Sequence, residues 1–291
     1  MENTRTKTTR NSLILLLTAA IWGMAFVSQS KGMDYMHPFT FNGVRSLIGA
    51  ASILVYILIS RKIAGDKAAP LDWKLNVKAG LLCGIFLTIA STLQQFGIKY
   101  TSVGKAGFIT TLYIIFVPMF GIFLKKKVAP VVWAAAVMAA VGMYLLCMTE
   151  SLRLGAGDIM VFLCAIAFAI QIMTVDHYAA RIDGAVVSCI QFTVCGVVCC
   201  IGALIWGQPT FGQLQEGLGA LLYAGVLSCG VGYTLQIVGQ KGLNPTVAAL
   251  IMSLESVIAT ISGWIAYKIG FLTTDPVSYT HLRAHETRHD L

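Results

Sequence analysis

The fold class this sequence predicts is an all-α membrane protein built from two inverted five-helix repeats. Three observations carry that expectation. The composition is too apolar for a globule in water, nine segments are long enough to cross a bilayer, and the two halves of the chain resemble each other.

Of the 291 residues, 57% are hydrophobic and 12% are charged, and the mean hydropathy is +0.76. Soluble domains carry about 25% charged residues. Halving that fraction removes the polar coat a globule needs, so lipid must be the solvent for most side chains. The net charge of +8 does not point to nucleic acid, because Lys and Arg collect in the cytoplasmic loops of membrane proteins. The eight cysteines all lie in apolar runs with no CxxC pair. They read as small buried side chains rather than as disulfides or a metal site.

A membrane helix needs about 20 mostly apolar residues. Nine segments meet that need: α1 (12–28), α2 (40–59), α3 (80–98), α4 (106–124), α5 (131–148), α6 (159–175), α7 (185–206), α8 (218–238) and α9 (246–267). The first has a basic lead like a signal peptide, but it lacks a small-residue cleavage site and reads as a retained helix. Counted over alternate loops, 13 Lys and Arg fall on the N-terminal side and five on the other. This places the N-terminus in the cytoplasm of a bacterial inner membrane. The longest connection, 60–79, leaves no room for a soluble domain.

The self-similarity is specific. With an offset of 142 residues, 91–121 aligns without a gap on 233–263, and nine of 31 positions are identical. Among them are Thr92/Thr234, Gln94/Gln236, Gly97/Gly239 and Lys99/Lys241; Gln, Thr and Lys are not bilayer filler. Helices α3 and α4 therefore pair with α8 and α9. An offset of five helices inverts one copy relative to the other, as in many secondary transporters with a midplane substrate site between the halves.

The expected organisation is a first repeat over 1–150, a second over 151–276 and a tail over 277–291. A five-helix unit demands ten helices, and nine are present. From Val277 the sequence turns abruptly into VSYTHLRAHETRHDL. Its His285–His289 spacing spells HExxH, but the segment resembles a translated sequencing adaptor and is set aside as non-native. The expectation is that a tenth helix is missing and that this chain transports nothing.

Several residues resemble the EamA family of the drug/metabolite transporter superfamily. They are Ala20-Ile21-Trp22-Gly23 with Phe26 and Lys31, Pro38 and Arg45 in α2, and Thr101-Ser102 with Ala106 to Leu112 and Pro118 in α4. The run Leu254-Glu255-Ser256-Val257 with Ala259 completes the set in α9. The resemblance covers 13–272. It departs at Ser256, where the family often has Pro, and at Lys126 and Tyr267-Lys268, where it often has an acid. The resemblance implies a secondary transporter of amino acid-like or drug-like metabolites, commonly exporting them by alternating access. The alternatives are a non-transporting receptor or assembly protein, or an intramembrane enzyme. The spans hold no paired carboxylates, and outside the tail only His37 and His177 occur.

Polar residues at bilayer depth are the candidate substrate-binding positions, since a charge there must find a partner inside the bundle. Glu255 is either a substrate or proton carboxylate or a structural one. Gln94 and Gln236, at equivalent repeat positions, either read polar groups in a cavity or bond helix to helix. Trp22, beside Gly23, is a cavity wall or plain packing, and Tyr113 stands at the repeat position of Glu255. Gln171 is a further candidate, as is Lys105 at the mouth of α4. Arg45 is expected to snorkel to the headgroups or to anchor packing. No cofactor, catalytic residue or metal is expected. The expected partners are a small-molecule substrate, bilayer lipid, a coupling proton and a second copy in a homodimer, with no nucleic acid.

Overall fold

In the computed structural model the described residues are 2–65, 70–123 and 155–272, with 130, 133–134, 137–138 and 141–142. Among them every regular element is a helix. Eight are long and apolar enough to cross a membrane: Lys7–Gly32, Pro38–Ala64, Trp73–Ile98, Val103–Phe123, Ala156–Tyr178, Gly184–Gly207, Leu218–Gln240 and Pro245–Lys268. These are α1–α4 and α6–α9. Two thirds of helix α5 lies outside the described residues, and Lys125–Lys127 and the tail from 277 lie entirely outside them.

The span starts are written in the sequence. Asp72, Ser102, Asp183 and Asn244 each cap a first turn, accepting from Leu75 N–H (3.0 Å), Lys105 N–H (3.3 Å), Ala185 N–H (3.0 Å) and Thr246 N–H (2.9 Å). A side-chain acceptor there satisfies an amide the helix leaves orphaned. Pro38 and Pro245 take first-turn positions, where a missing N–H costs nothing. Outward-facing positions such as Leu54, Leu58, Leu81, Ile85, Val198 and Ile201 are exposed and apolar. Lipid must cover so continuous an apolar belt.

Close glycine contacts give the direction of each helix. Gly80 and Gly84 of α3 lie against Ile190 and Val194 of α7, so these two helices run parallel. Gly43 and Gly196 meet Cys200 and Leu47, so α2 and α7 are antiparallel. Gly225 meets Ile48 and Gly230 meets Ser52, so α8 runs with α2, whereas Gly232 and Gly239 meet Trp22 and Leu15, so α8 runs against α1. Gly97 meets Val161, and Cys83 shares a cluster with Val175, so α6 runs against α3. Helices α1, α3 and α7 therefore point one way, and α2, α6 and α8 the other. Helices α6, α7 and α8 are thus inverted relative to α1, α2 and α3.

The packing repeats with the inversion. α3 crosses α6 as α8 crosses α1, and α3 lies along α7 as α8 lies along α2. The Gly97/Gly239 identity marks this crossing in both halves. A Cβ at Gly97 would strike Val161 and lie 2.9 Å from the Gly157 carbonyl. At Gly239 it would lie 2.7 Å from Leu15 and 3.2 Å from the Asn11 carbonyl. Two backbones pass here with no space for a side chain.

Helices α4 and α9 are each broken once, at matching places. Val103–Thr110 is followed by Tyr113–Phe123, and Pro245–Met252 by Glu255–Lys268. Pro118 lies inside the second half of α4, where it clashes with the carbonyl four residues back. The break in α9 occurs without a proline. Helix α8 also departs from α geometry, with π-type turns over Tyr223–Gly232, a distortion that frequently marks functional sites.

Candidate functional site

The two breaks come together at a narrow central cavity of about 30 Å³, room for roughly two water molecules. On α3, Leu87, Ser91 and Gln94 form one helical face on its wall; on α8, Cys229, Tyr233 and Gln236 do the same. These are repeat counterparts, each to each, and Tyr113 and Glu255 add a fourth pair at the breaks. A pseudo-two-fold axis that puts one member of a pair on the wall puts the other there too.

All six candidate residues meet here: Trp22, Gln94, Tyr113, Gln171, Gln236 and Glu255 line the same cavity. An amide chain runs along one side. Gln236 Nε2 donates to Gln171 Oε1 (3.2 Å), and Gln171 Nε2 to Gln191 Oε1 (3.4 Å). Gln94 Nε2 donates to Thr110 Oγ1 at 3.2 Å. Trp22 packs on Tyr233 with ring centroids 4.5 Å apart, and Gly23 behind it leaves only 2.8 Å between an added Cβ and the Glu255 carbonyl. Trp22 is thus both cavity wall and close helix contact.

Several polar atoms on this wall have no protein partner. They are Trp22 Nε1, Gln29 Oε1, Tyr113 OH and Gln236 Oε1. A buried polar atom left unpaired costs about 1–3 kcal/mol, so four on one wall mark a place meant to be wetted or filled. Glu255 is 3% exposed and lies beside Tyr113 on the cavity wall. Because Glu255 opens the second half of α9, its carboxylate sits at the positive end of a half-helix dipole. The break in α9 therefore supplies part of the stabilisation an isolated carboxylate lacks at this depth.

Two expectations change. Arg45 does not snorkel: it is 5% exposed and lines the cavity, with Nε donating to Asn42 Oδ1 at 2.8 Å and the guanidinium 5.5 Å from the Phe41 ring. At Gly49 and Gly225 helices α2 and α8 approach so closely that the Arg45 backbone carbonyl lies 2.9 Å from an added Cβ at Gly225. Lys105 is not on the wall. Its Nζ is paired with Asp158 Oδ2 at 2.7 Å, both residues being buried. Asp158 also accepts from Thr101 Oγ1 (2.7 Å) and Gly155 N–H (2.9 Å). Gln29, Ser91 and Tyr233 are wall residues that sequence reasoning passed over. The repeat offset that pairs Ser91 with Tyr233, one turn before the glutamines, was the signal that could have found those two.

The family model described as EamA-like transporter family matches residues 10–148 and 155–277. The chain belongs to the EamA-like transporter family. It is similar to an uncharacterized transporter of Archaeoglobus fulgidus, 30% identical over 57% of this chain and 48% of that one, about half that relative's length. It is also similar to the uncharacterized transporter YwfM of Bacillus subtilis, 27% identical over 87% of this chain and 84% of the relative. One solved crystal structure superposes with a TM-score of 0.70 at 16% identity, covering 94% of this chain and 92% of its own; that likeness concerns the fold alone. The chain is a multi-pass membrane transporter.

Proposed function

We propose that the protein is a secondary transporter that moves a small metabolite out of a bacterial cell through the central cavity by alternating access, with no chemical conversion. The observation that carries this reading is the meeting of four repeat pairs, from oppositely directed halves, on one cavity. A space of about 30 Å³ admits no metabolite until the halves part. Halves related by a two-fold axis in the membrane plane can part toward either face by the same motion.

Two features favour entry from the face that carries the N-terminus. That face bears Lys7, Arg10, Arg61, Lys62, Lys74, Lys78, Arg181 and Lys241, against Lys31, Lys99, Lys105 and Lys268 on the opposite one, a bias that favours a cytoplasmic N-terminus. It also carries two clefts of about 580 and 570 Å³. One is bordered by Arg61, Asp72, Arg181 and Asp183, and the other by Lys7, Arg10 and Asn11. Glu255 would hold the substrate's cationic group or carry a coupling proton.

Comparing metabolites in the medium of cells with and without the full-length gene identifies the exported compound. Flux of that compound into proteoliposomes is then measured for Glu255→Gln. The expected result is loss of flux by roughly 100-fold or more with membrane insertion and monodispersity intact. Undiminished flux in the variant would return Glu255 to a structural role.

A further inference from the structure

We infer that Gln29 is a working residue of the transport path: with Gln94 it forms an amide latch that closes the cavity toward one face, and Gln171 with Gln236 forms the matching latch toward the other. The inference rests on the reading of the cavity as a path opened by alternating access. It adds Gln29 to the path and names the contacts that are exchanged when the cavity turns.

The repeat extends into the first helix of each half. At the same offset of 142 residues, Ala25-Phe26-Val27-Ser28-Gln29 of α1 faces Ala167-Phe168-Ala169-Ile170-Gln171 of α6, with three of five positions identical. Phe26, Gln29, Phe168 and Gln171 all line the cavity. Gln94 and Gln236 are repeat counterparts too, so each half supplies one glutamine from its first helix and one from its third. Their depths mirror each other. Gln29 and Gln94 lie in the last turns of α1 and α3, which end at 32 and 98 on the face opposite the N-terminus. Gln171 and Gln236 lie toward the ends of α6 and α8, at 178 and 240 on the N-terminal face.

These matching residues are bonded differently. Gln236 Nε2 donates to Gln171 Oε1 at 3.2 Å, and Gln171 Nε2 to Gln191 Oε1 at 3.4 Å; this latch is closed. In the first half Gln94 Nε2 donates to Thr110 Oγ1 at 3.2 Å, beside the break in α4, and Gln29 Oε1 has no protein partner. That latch is open, although its helices touch: Gln95, next to Gln94, donates Nε2 to the Gln29 carbonyl at 3.2 Å. The repeat position of Thr110 is Met252, and that of Gln191 is Gly49. Thr110 therefore holds the first latch open and Gln191 backs the second, and neither support exists in the other half. A buried amide oxygen without a donor is costly, which draws Gln29 toward the Gln94 amide. When Gln94 leaves Thr110 for Gln29 and Gln236 leaves Gln171, one amide bond forms as one breaks. Because the halves are related by a two-fold axis in the membrane plane, this trade moves the closed side from the N-terminal face to the opposite one.

The test follows backbone hydrogen exchange by mass spectrometry in the full-length protein in nanodiscs, with no substrate added. Gln171→Met removes the closed latch. It should raise exchange at the N-terminal face, in 73–80 of α3 and 237–240 of α8, about fivefold, the weight of one net hydrogen bond. Thr110→Val frees Gln94 to close on Gln29 and should shift the same segments in the same direction. Gln29→Met removes the alternative latch and should lower exchange there by a similar factor. The double variant Gln29→Met/Gln171→Met should return close to wild type. Shifts of one sign in Thr110→Val and Gln29→Met, or no shift in either, overturn the latches. So does a general loosening, which would raise exchange in every variant and also in 218–222 of α8 on the opposite face. Those two variants decide the matter even if Gln171→Met does not fold. An exported metabolite together with shifts of one sign would leave the transporter reading standing and remove only the latches. Opposed shifts with no exported metabolite would do the reverse.

Discussion

The crossing of α3 and α4 with α6 on one face has its counterpart in the crossing of α8 and α9 with α1 on the other, yet the two are closed by different chemistry. At the first, Asp158 gathers Lys105, Thr101 and the Gly155 amide into a buried ionic cluster. At the second, Asn11 Nδ2 donates to the Lys241 carbonyl at 2.7 Å, a neutral bond. The repeat position of Lys105 is Val247, so the ion pair cannot be reproduced there. Both crossings keep the glycine that lets the backbones meet, Gly97 in one and Gly239 in the other. The repeat has preserved how the helices pass and left free how firmly each end is held.

The sharpest way to break this comparison is to remove one charge. Lys105→Met leaves Asp158 charged and buried, and stability should fall by about 3–5 kcal/mol, read by steric trapping or by unfolding in mixed SDS micelles. The double variant Lys105→Met/Asp158→Asn should recover most of that loss, because no bare charge remains. Asn11→Ala at the opposite crossing should cost about 0.5–1.5 kcal/mol. Equal losses at the two ends would mean that the ionic cluster adds nothing to the closure.

A smaller effect separates the two glycines. Gly97→Ala would press on Val161, a β-branched side chain with little rotamer freedom, and on a backbone carbonyl; a cost of about 1–3 kcal/mol is expected. Gly239→Ala meets Leu15 at 2.7 Å and the Asn11 carbonyl at 3.2 Å, against 2.9 Å for the carbonyl at Gly97; the backbone contact is looser, so the loss should be somewhat smaller. The reverse order, measured in the same unfolding assay, would show that the first crossing is the looser one.

The smallest effect concerns His37 at the start of α2. Its Nδ1 accepts from Phe39 N–H at 3.3 Å, which requires that nitrogen to be unprotonated. Burial, and next the positive charge of Lys99, hold its pKa below the ordinary histidine value of 6.5. In this range the unfolded chain binds the proton more readily than the folded one. The stability contributed is therefore fully present above about pH 6.5 and is lost as pH falls toward the folded pKa. Unfolding midpoints of the wild type and of His37→Asn, which caps without titrating, should diverge only on the acid side of that value. A constant difference from pH 8 to pH 5 would show that the cap does not titrate.

Much of this was legible in the chain because the bilayer imposes a coarse code. Apolar runs of fixed length gave eight spans, with ends up to seven residues short at α3, and a repeat of Gln, Gly, Thr and Lys gave the inversion. Glu255, Gln94 and Gln236 stood out because polar groups at that depth need a reason. For Arg45 the snorkelling expectation fails because one-dimensional depth does not say which way a long side chain turns; in the fold it lines the cavity. The partner of Lys105 was also hidden. Asp158 lies 53 residues away in the sequence, and only the α4–α6 crossing brings the two together.

By itself, then, the sequence determined the solvent, the number and spacing of apolar spans, the inverted pairing of the halves and which polar residues had to be explained. Hydropathy and repeat spacing are properties of the chain read along its length, so they survive without coordinates. Tertiary structure alone decided that Trp22, Arg45, Tyr113, Gln171 and Glu255 share one wall, and that α9 breaks where α4 does although it has no proline past its first turn. Those outcomes depend on which faces of separate helices meet and on how closely glycine lets them approach, and side-chain packing settles both only after the helices are assembled.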